Sequence, residues 1–187
     1  YMMLCLLVSF YAYMWLKKYK WIYVGIMALI VLALGFETYQ RNSVWQDQVA
    51  FARDVALKSP NKFRPQYNLG ENLEDQGRID EAVDALRKAL TMQPQKPNPV
   101  LKKATNYNML GIALMKKNST EEALDNFFKA LELKPDYQEA HLNVARALLK
   151  QQKPKAAIIH LNDFLSKYPG SADAHWIIGN SYAKFNK

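Results

Sequence analysis

The sequence predicts an all-α protein: a hydrophobic N-terminal helical stem, then an α-solenoid of three full helix–turn–helix repeats with a half repeat at each end. Two observations carry this. Prolines at Pro60, Pro94, Pro135 and Pro169 are spaced by 34, 41 and 34 residues, and the doublets Leu69-Gly70, Leu110-Gly111, Val144-Ala145 and Ile178-Gly179 are spaced by 41, 34 and 34. A fixed period of that length marks stacked two-helix units. The second observation is that residues 1–36 are apolar nearly throughout, with three lysines in the middle. The expected organisation is a stem or transmembrane segment over 1–42 and a repeat domain over 43–187.

The stem comes first. "YMMLCLLVSFYAYMWL" and "WIYVGIMALIVLALGF" carry no charge and flank Lys17, Lys18 and Lys20. Each block has 16 residues, about 24 Å of helix against a hydrocarbon layer of about 30 Å. A membrane hairpin with "KKYK" on the cytoplasmic side keeps the lysines out of lipid and puts the repeats outside. The connection holds neither Gly nor Pro, and this favours one continuous helix from Tyr1 to about Gln40. A helix apolar all round is buried in lipid or in protein. Packed against copies of itself, it brings Glu37 of one chain near Lys17, Lys18 and Lys20 of another. Tyr1 is not an initiator methionine, which predicts a processed chain or a fragment. The single cysteine, Cys5, forms no intrachain disulfide.

The repeats follow. "SVWQDQVAFARDVALKSP" reads as a second helix without its first, with Ser43 and Gln46 as a capping box. Full repeats run over about 63–96, 104–137 and 138–171. Gly70, Gly111 and Ala145 let the first helix of each repeat approach the second, where Ala82, Ala123 and Ala157 keep step. Leu73, Leu114 and Leu148 fill the core. The prolines end each second helix, since proline cannot continue one and displaces the residue before it. "PNPVLKK", residues 97–103, is an insertion expected as a loop, or as a loop with a short lead-in to the next helix. "ADAHWIIGNSYAKFNK" reads as a last first-helix without a partner.

These phased positions identify the repeat as a member of the tetratricopeptide repeat (TPR) family; the clearest copy is "YNLGENLEDQGRIDEAVDALRKALTMQP". The run "ETYQRNSVWQDQVAFARDVALKSPNKFRPQYNLG" also resembles the junction in transmembrane-and-TPR O-mannosyltransferase-like proteins, where a last transmembrane helix leads into the first repeat. That resemblance implies membrane attachment and TPRs on the non-cytoplasmic side. It implies no activity for this chain, because the family's catalytic acidic loops have no counterpart here. An aromatic first residue and an apolar first helix also resemble the layout of pilin-like filament subunits, but Cys5 stands where the pilin signature has glutamate.

Nothing in the sequence points to catalysis, a cofactor or a metal. It holds no phosphate loop, no Cys/His metal spacing and no nucleophile elbow. His141 and His175 lie 34 residues apart at a packing position of the first helix. The net charge of +8 is scattered among acids, so no stripe of the kind that nucleic acid selects is present. Asn118 heads an N-glycosylation sequon, "NST", in the turn of the second repeat.

The concave face of a TPR array holds a partner protein or peptide, and its first helices supply the contacts. In the first repeat these are Arg64, Tyr67, Asn68 and Glu71. In the second they are Asn108, Ile112, Met115 and Lys116. In the third they are Glu139, Leu142, Asn143, Arg146 and Lys150. Chaperone-binding TPRs clamp a C-terminal carboxylate with lysine, asparagine and arginine. This chain departs from that pattern, because Tyr67, Glu71 and Met109 stand where the clamp needs donors. The expected function is a non-catalytic assembly or scaffold protein. Its stem packs with copies of itself or enters a membrane, in an extracellular filament or at the cell surface, with the TPRs outside. Alternatives are the C-terminal part of a membrane glycosyltransferase and a membrane-anchored peptide-binding adaptor.

Overall fold

Three turns set the architecture. Gly77, Asn118 and Gln152 adopt left-handed backbone, with φ of 74°, 67° and 59°. In each turn the next amide donates back to the carbonyl five residues earlier: Arg78 to Leu73, Ser119 to Leu114 and Lys153 to Leu148, all at 2.9 Å. The turn residue itself donates to Glu74, Met115 or Leu149. This pair of bonds satisfies carbonyls that a helix end leaves open, and it reverses the chain without strain where glycine occupies the turn. Asn118 and Gln152 hold the same geometry at a small steric cost; asparagine tolerates it better.

A computed structural model describes residues 9, 10, 13, 20–94 and 98–185. Among them there are nine helices of eleven or more residues and no strand: α1 (Lys20–Gln46), α2 (Gln48–Lys58), α3 (Phe63–Asp75), α4 (Ile79–Leu90), α5 (Pro99–Lys116), α6 (Thr120–Leu133), α7 (Gln138–Lys150), α8 (Pro154–Lys167) and α9 (Ala172–Phe185). The chain divides into two units, Tyr1–Asp47 and Gln48–Lys187.

In the second unit, α3 to α8 form three antiparallel pairs. Three core clusters run through them. Val49 of α2 meets Leu73, Ala82 and Ala85. Val83 and Leu86 meet Leu110, Leu114, Phe127 and Val144. Leu142, Ala145, Leu161 and Phe164 meet Ala174 and Ile177 of α9. Each cluster joins a pair to the helix or pair stacked next to it, because one pair cannot cover its own apolar face. Two of the three second helices, α4 and α6, carry acids in the first turn: Asp80 and Glu81, and Glu121 and Glu122. Acids there complement the positive helix end.

One local expectation changes, and one open choice, loop or loop with a lead-in helix, resolves to the lead-in. Ser43 lies inside α1, so it caps no helix; the break falls at Asp47, where the chain bends. The insertion is mostly helical. Pro99 opens α5 behind a left-handed Asn98, and the missing proline N–H is one that a first helical turn does not need. As a result α5 has 18 residues, where α3 and α7 have 13 each.

In the first unit, α1 is exposed along its apolar length, from Trp21 (76%) to Leu32 (68%) and Tyr39 (73%). Of the stem expected over 1–42, only residues 9, 10, 13 and 20–42 are described, and among the described residues no helix is long and apolar enough to cross a membrane. The charge-free stretch 21–36 is 16 residues, about 24 Å. Lys17 and Lys18 lie outside the described residues, so the choice between hairpin and continuous stem falls outside them too. Lys20 is the first residue of α1, and Glu37 is exposed on it.

Candidate functional site: the first-helix face

Helices α3, α5 and α7 lie side by side as the first helices of successive repeats. Their facing residues form a chain of polar contacts. Tyr67 of α3 is half-buried against the core of the second repeat. Burial pushes its phenol up, and Glu71 and Tyr137 push it further. Tyr137, at the start of α7, is also raised by burial, opposed by hydrogen bonds from Thr105 and Asn108. Asn108 is buried, and its Oδ1 accepts from Asn143 Nδ2 at 3.0 Å. Asn143 Oδ1 accepts from Arg146 Nη1 at 3.1 Å, and Lys150 Nζ donates to the Met115 carbonyl at 2.6 Å. The Asn108–Asn143 and Lys150–Met115 bonds link α5 to α7, and the Arg146 bond lies within α7.

Below this chain lies a cavity of about 340 Å³, lined by Ile112, Met115, Lys116, Phe127, Asn143, Arg146 and Lys150. It joins six of the residues expected from sequence. Phe127 was not among them, because it comes from a second helix. It reaches the cavity by packing across Gly111, where a Cβ would overlap the ring. The remaining expected residues lie outside the cavity. Arg64, Asn68 and Glu139 are exposed, Glu71 is half-buried, and Leu142 is in the core with Ala145 and Leu161.

Lys116 is not a free cation. It pairs with Glu74 of α3, whose side chain is 6% exposed. Nothing in the sequence marks Glu74 as buried; only the stacking of α3 on α5 covers it. Further ion pairs tie successive units, with Arg53 on Glu81 at 2.8 Å and Arg87 on Glu122 at 2.6 Å. Arg53 and Arg78 hold the Glu81 carboxyl below its usual range.

A second polar pair also escaped the sequence. His141 Nε2–H donates to the Pro135 carbonyl at 3.0 Å. That leaves Nδ1 of the neutral ring to accept from His160 Nε2–H at 3.2 Å. His175 makes the matching bond to Pro169 at 2.9 Å. Among the described residues no group of three or more His, Cys, Asp or Glu is placed to hold a metal. Asn118 is exposed at a turn, beside a shallow hollow of about 580 Å³ that includes Ser119, Thr120 and Lys153.

Tetratricopeptide repeat family models match residues 63–96, 108–172 and 145–186. The chain belongs to the tetratricopeptide repeat family. Its TPR region is 32% identical over 100 residues to the protein O-mannosyl-transferase tmtc2 of Xenopus laevis, covering 51% of this chain and 12% of that protein. It is 32% identical over 119 residues to the peroxisomal targeting signal receptor of Candida albicans, covering 62% of this chain and 19% of that one. The chain therefore spans less than a fifth of either relative. Among solved structures, MamA superposes with a TM-score of 0.66 at 20% identity, covering 80% of this chain and 83% of that one. The first TPR domain of Spaghetti (RPAP3), bound to the HSP90 peptide SRMEEVD, gives 0.58 at 18% identity, covering 67% and 97%. At these identities the likeness is one of fold. The TPR array is a protein–protein interaction domain.

Proposed function

We propose that the TPR array binds an extended peptide segment of a partner protein across α3, α5 and α7. The cavity between Ile112, Met115 and Phe127 anchors one apolar side chain. The single observation that carries this is the cavity itself: an apolar floor under a rim of fixed donors, Asn143, Arg146 and Lys150. Concave sites of this composition are the usual form of a ligand pocket. The peptide-bound RPAP3 domain and the targeting-signal receptor agree with such a role. Peptides selected from a random display library on the chain in detergent test it. Bound peptide is expected to slow amide exchange in α5 and α7, and Asn143→Ala is expected to weaken binding about tenfold. Selection that yields no binder, or binders that leave α5 and α7 unprotected, rules the reading out.

A second reading concerns α1. Its exposed apolar residues must be covered by lipid or by protein. Similarity to O-mannosyl-transferases over the TPR region favours lipid over packing with copies of the chain. In this reading the chain is the C-terminal part of a membrane glycosyltransferase, whose TPRs, on the non-cytoplasmic side, hold protein substrates. Asn118 is then accessible to glycosylation. Flotation with phospholipid vesicles tests the anchoring. Self-association in the absence of lipid, without flotation, would favour the filament arrangement instead.

A further inference from the structure

We infer that the first-helix face is electrically polarised, and that it takes a peptide with an acidic residue beside an apolar one over the third repeat and a basic residue over the first. This rests on the peptide-binding reading above.

The polarity follows from the register of the repeats. Offsets of 41 and 34 residues bring Glu71, Ile112 and Arg146 to the same level of α3, α5 and α7, and Asp75, Lys116 and Lys150 to the level one turn on. Both levels begin on an acid and end on a base. The middle charge cancels, because Lys116 is paired with Glu74. At the basic end, Arg146 and Lys150 line the cavity and donate only to uncharged acceptors, Asn143 Oδ1 and the Met115 carbonyl. Among the described residues neither is in an ion pair. A carboxylate entering there would gain charge-assisted bonds and would break no existing pair.

At the acidic end, burial raises the Glu71 carboxyl, and the neighbouring Asp75 and Glu74 raise it further. With Glu74 paired to Lys116, the unneutralised acids there are Glu71 and Asp75, and an incoming cation would relieve their crowding. Two steps between packed helices span about 16–20 Å, and an extended chain rises about 3.3 Å per residue. The two ends of the ligand are thus about five or six residues apart. Nearer the helix N-termini the order reverses, with Arg64 on α3 and Glu139 on α7, both exposed. The cavity does not extend to that level, so the ligand is seated at the Ile112–Met115 level.

Fluorescein-labelled synthetic nonapeptides on the full chain in detergent test this. One set joins a lysine pair to a Leu-Glu-Glu end through a neutral spacer, in both chain directions. Comparison sets replace the lysines with glutamates, or all charges with serine and glutamine. The dipolar peptides are expected to bind about tenfold tighter than the neutral set, with the advantage shrinking as salt rises. Arg146→Glu with Lys150→Glu should abolish it, and both sites are exposed, so the fold stands. Glu71→Lys should weaken the dipolar peptides and strengthen the all-acidic set. Glu71→Gln is the substitute if the lysine variant loses its helical circular dichroism; it should weaken only the dipolar peptides. Peptides that protect α5 and α7 with no preference for charge overturn the polarity and leave the peptide-binding reading intact. If the all-acidic set binds best to the unmodified chain, the acidic end has no role and the polarity is also wrong. If neither these peptides nor any library peptide binds, both fall together.

Discussion

Gly111 and Gly179 occupy the same slot two repeats apart and meet opposite surroundings. A Cβ on Gly111 would overlap the ring of Phe127, a residue 1% exposed. A Cβ on Gly179 would meet nothing within 4 Å. The glycine is therefore demanded by the second helix that crosses it, not by the slot. In the interior of the array a partner helix occupies that space. At α9 no following helix is present among the described residues, and Trp176 and Tyr182 stay exposed on the same helix. Gly70 stands nearer the first case. A Cβ on Gly70 would stand 2.6 Å from Leu86 Cγ and 3.3 Å from the Leu86 backbone nitrogen. The third pair carries a Cβ at Ala145, in the same buried cluster as Leu161.

Alanine substitutions measure this difference directly. Alanine gains about 1 kcal/mol over glycine inside a helix, and overpacking a filled core costs about 1–3 kcal/mol or more. Gly111→Ala has the largest expected effect, a net loss of about 2 kcal/mol, because an aromatic ring fixed in the core cannot swing aside. Urea unfolding followed by circular dichroism checks it; an unchanged midpoint would mean that the second crossing is looser than described. Gly70→Ala is expected to cost about 1 kcal/mol, since a leucine has rotamers with which to yield. Gly179→Ala should stabilise α9 by about 0.5–1 kcal/mol, read from the fluorescence of Trp176 during unfolding. A loss there would reveal a helix seated on α9 in solution.

The smallest effect concerns the third pair. His160 is held below its usual pKa by burial, then by His141, with Asp163 opposing. Phe128 stands edge-on to it, and Phe164 lies against His141. A histidine with a depressed folded pKa contributes stability that is full above its unfolded value of about 6.5 and is lost as pH falls below it. The urea midpoint should therefore drop modestly between pH 7 and pH 5. His160→Gln, which keeps a donor toward His141 Nδ1, should flatten that slope. The same slope in the variant would assign the effect to another group.

Much of the fold was legible because it is periodic. The doublets at 69–70, 110–111, 144–145 and 178–179 located each crossing, and the prolines located each end. The lead-in to α5 was also legible, since Pro99 suits a first helical turn as readily as a loop. Ser43 misled because a capping box is a local pattern that an already running helix overrides. Of the candidate site, Ile112, Met115, Asn143, Arg146 and Lys150 could be placed on one face from register alone. Leu142 could not be separated from them, because one position on a helix decides between groove and core.

The sequence by itself determined that the chain is a stack of two-helix repeats, which helices pair, and at which slots small residues recur. Those follow from short-range spacing, which each repeat states afresh. It also determined that α1 carries no charge over 21–36. Only the tertiary structure decided which polar groups meet. Asn108 with Asn143, Lys116 with buried Glu74, and His141 with His160 are 35, 42 and 19 residues apart. Phe127 reaches the cavity across Gly111. No spacing rule predicts these meetings, because they depend on how closely and at what angle neighbouring helices cross. That is set by the volumes of the side chains between them.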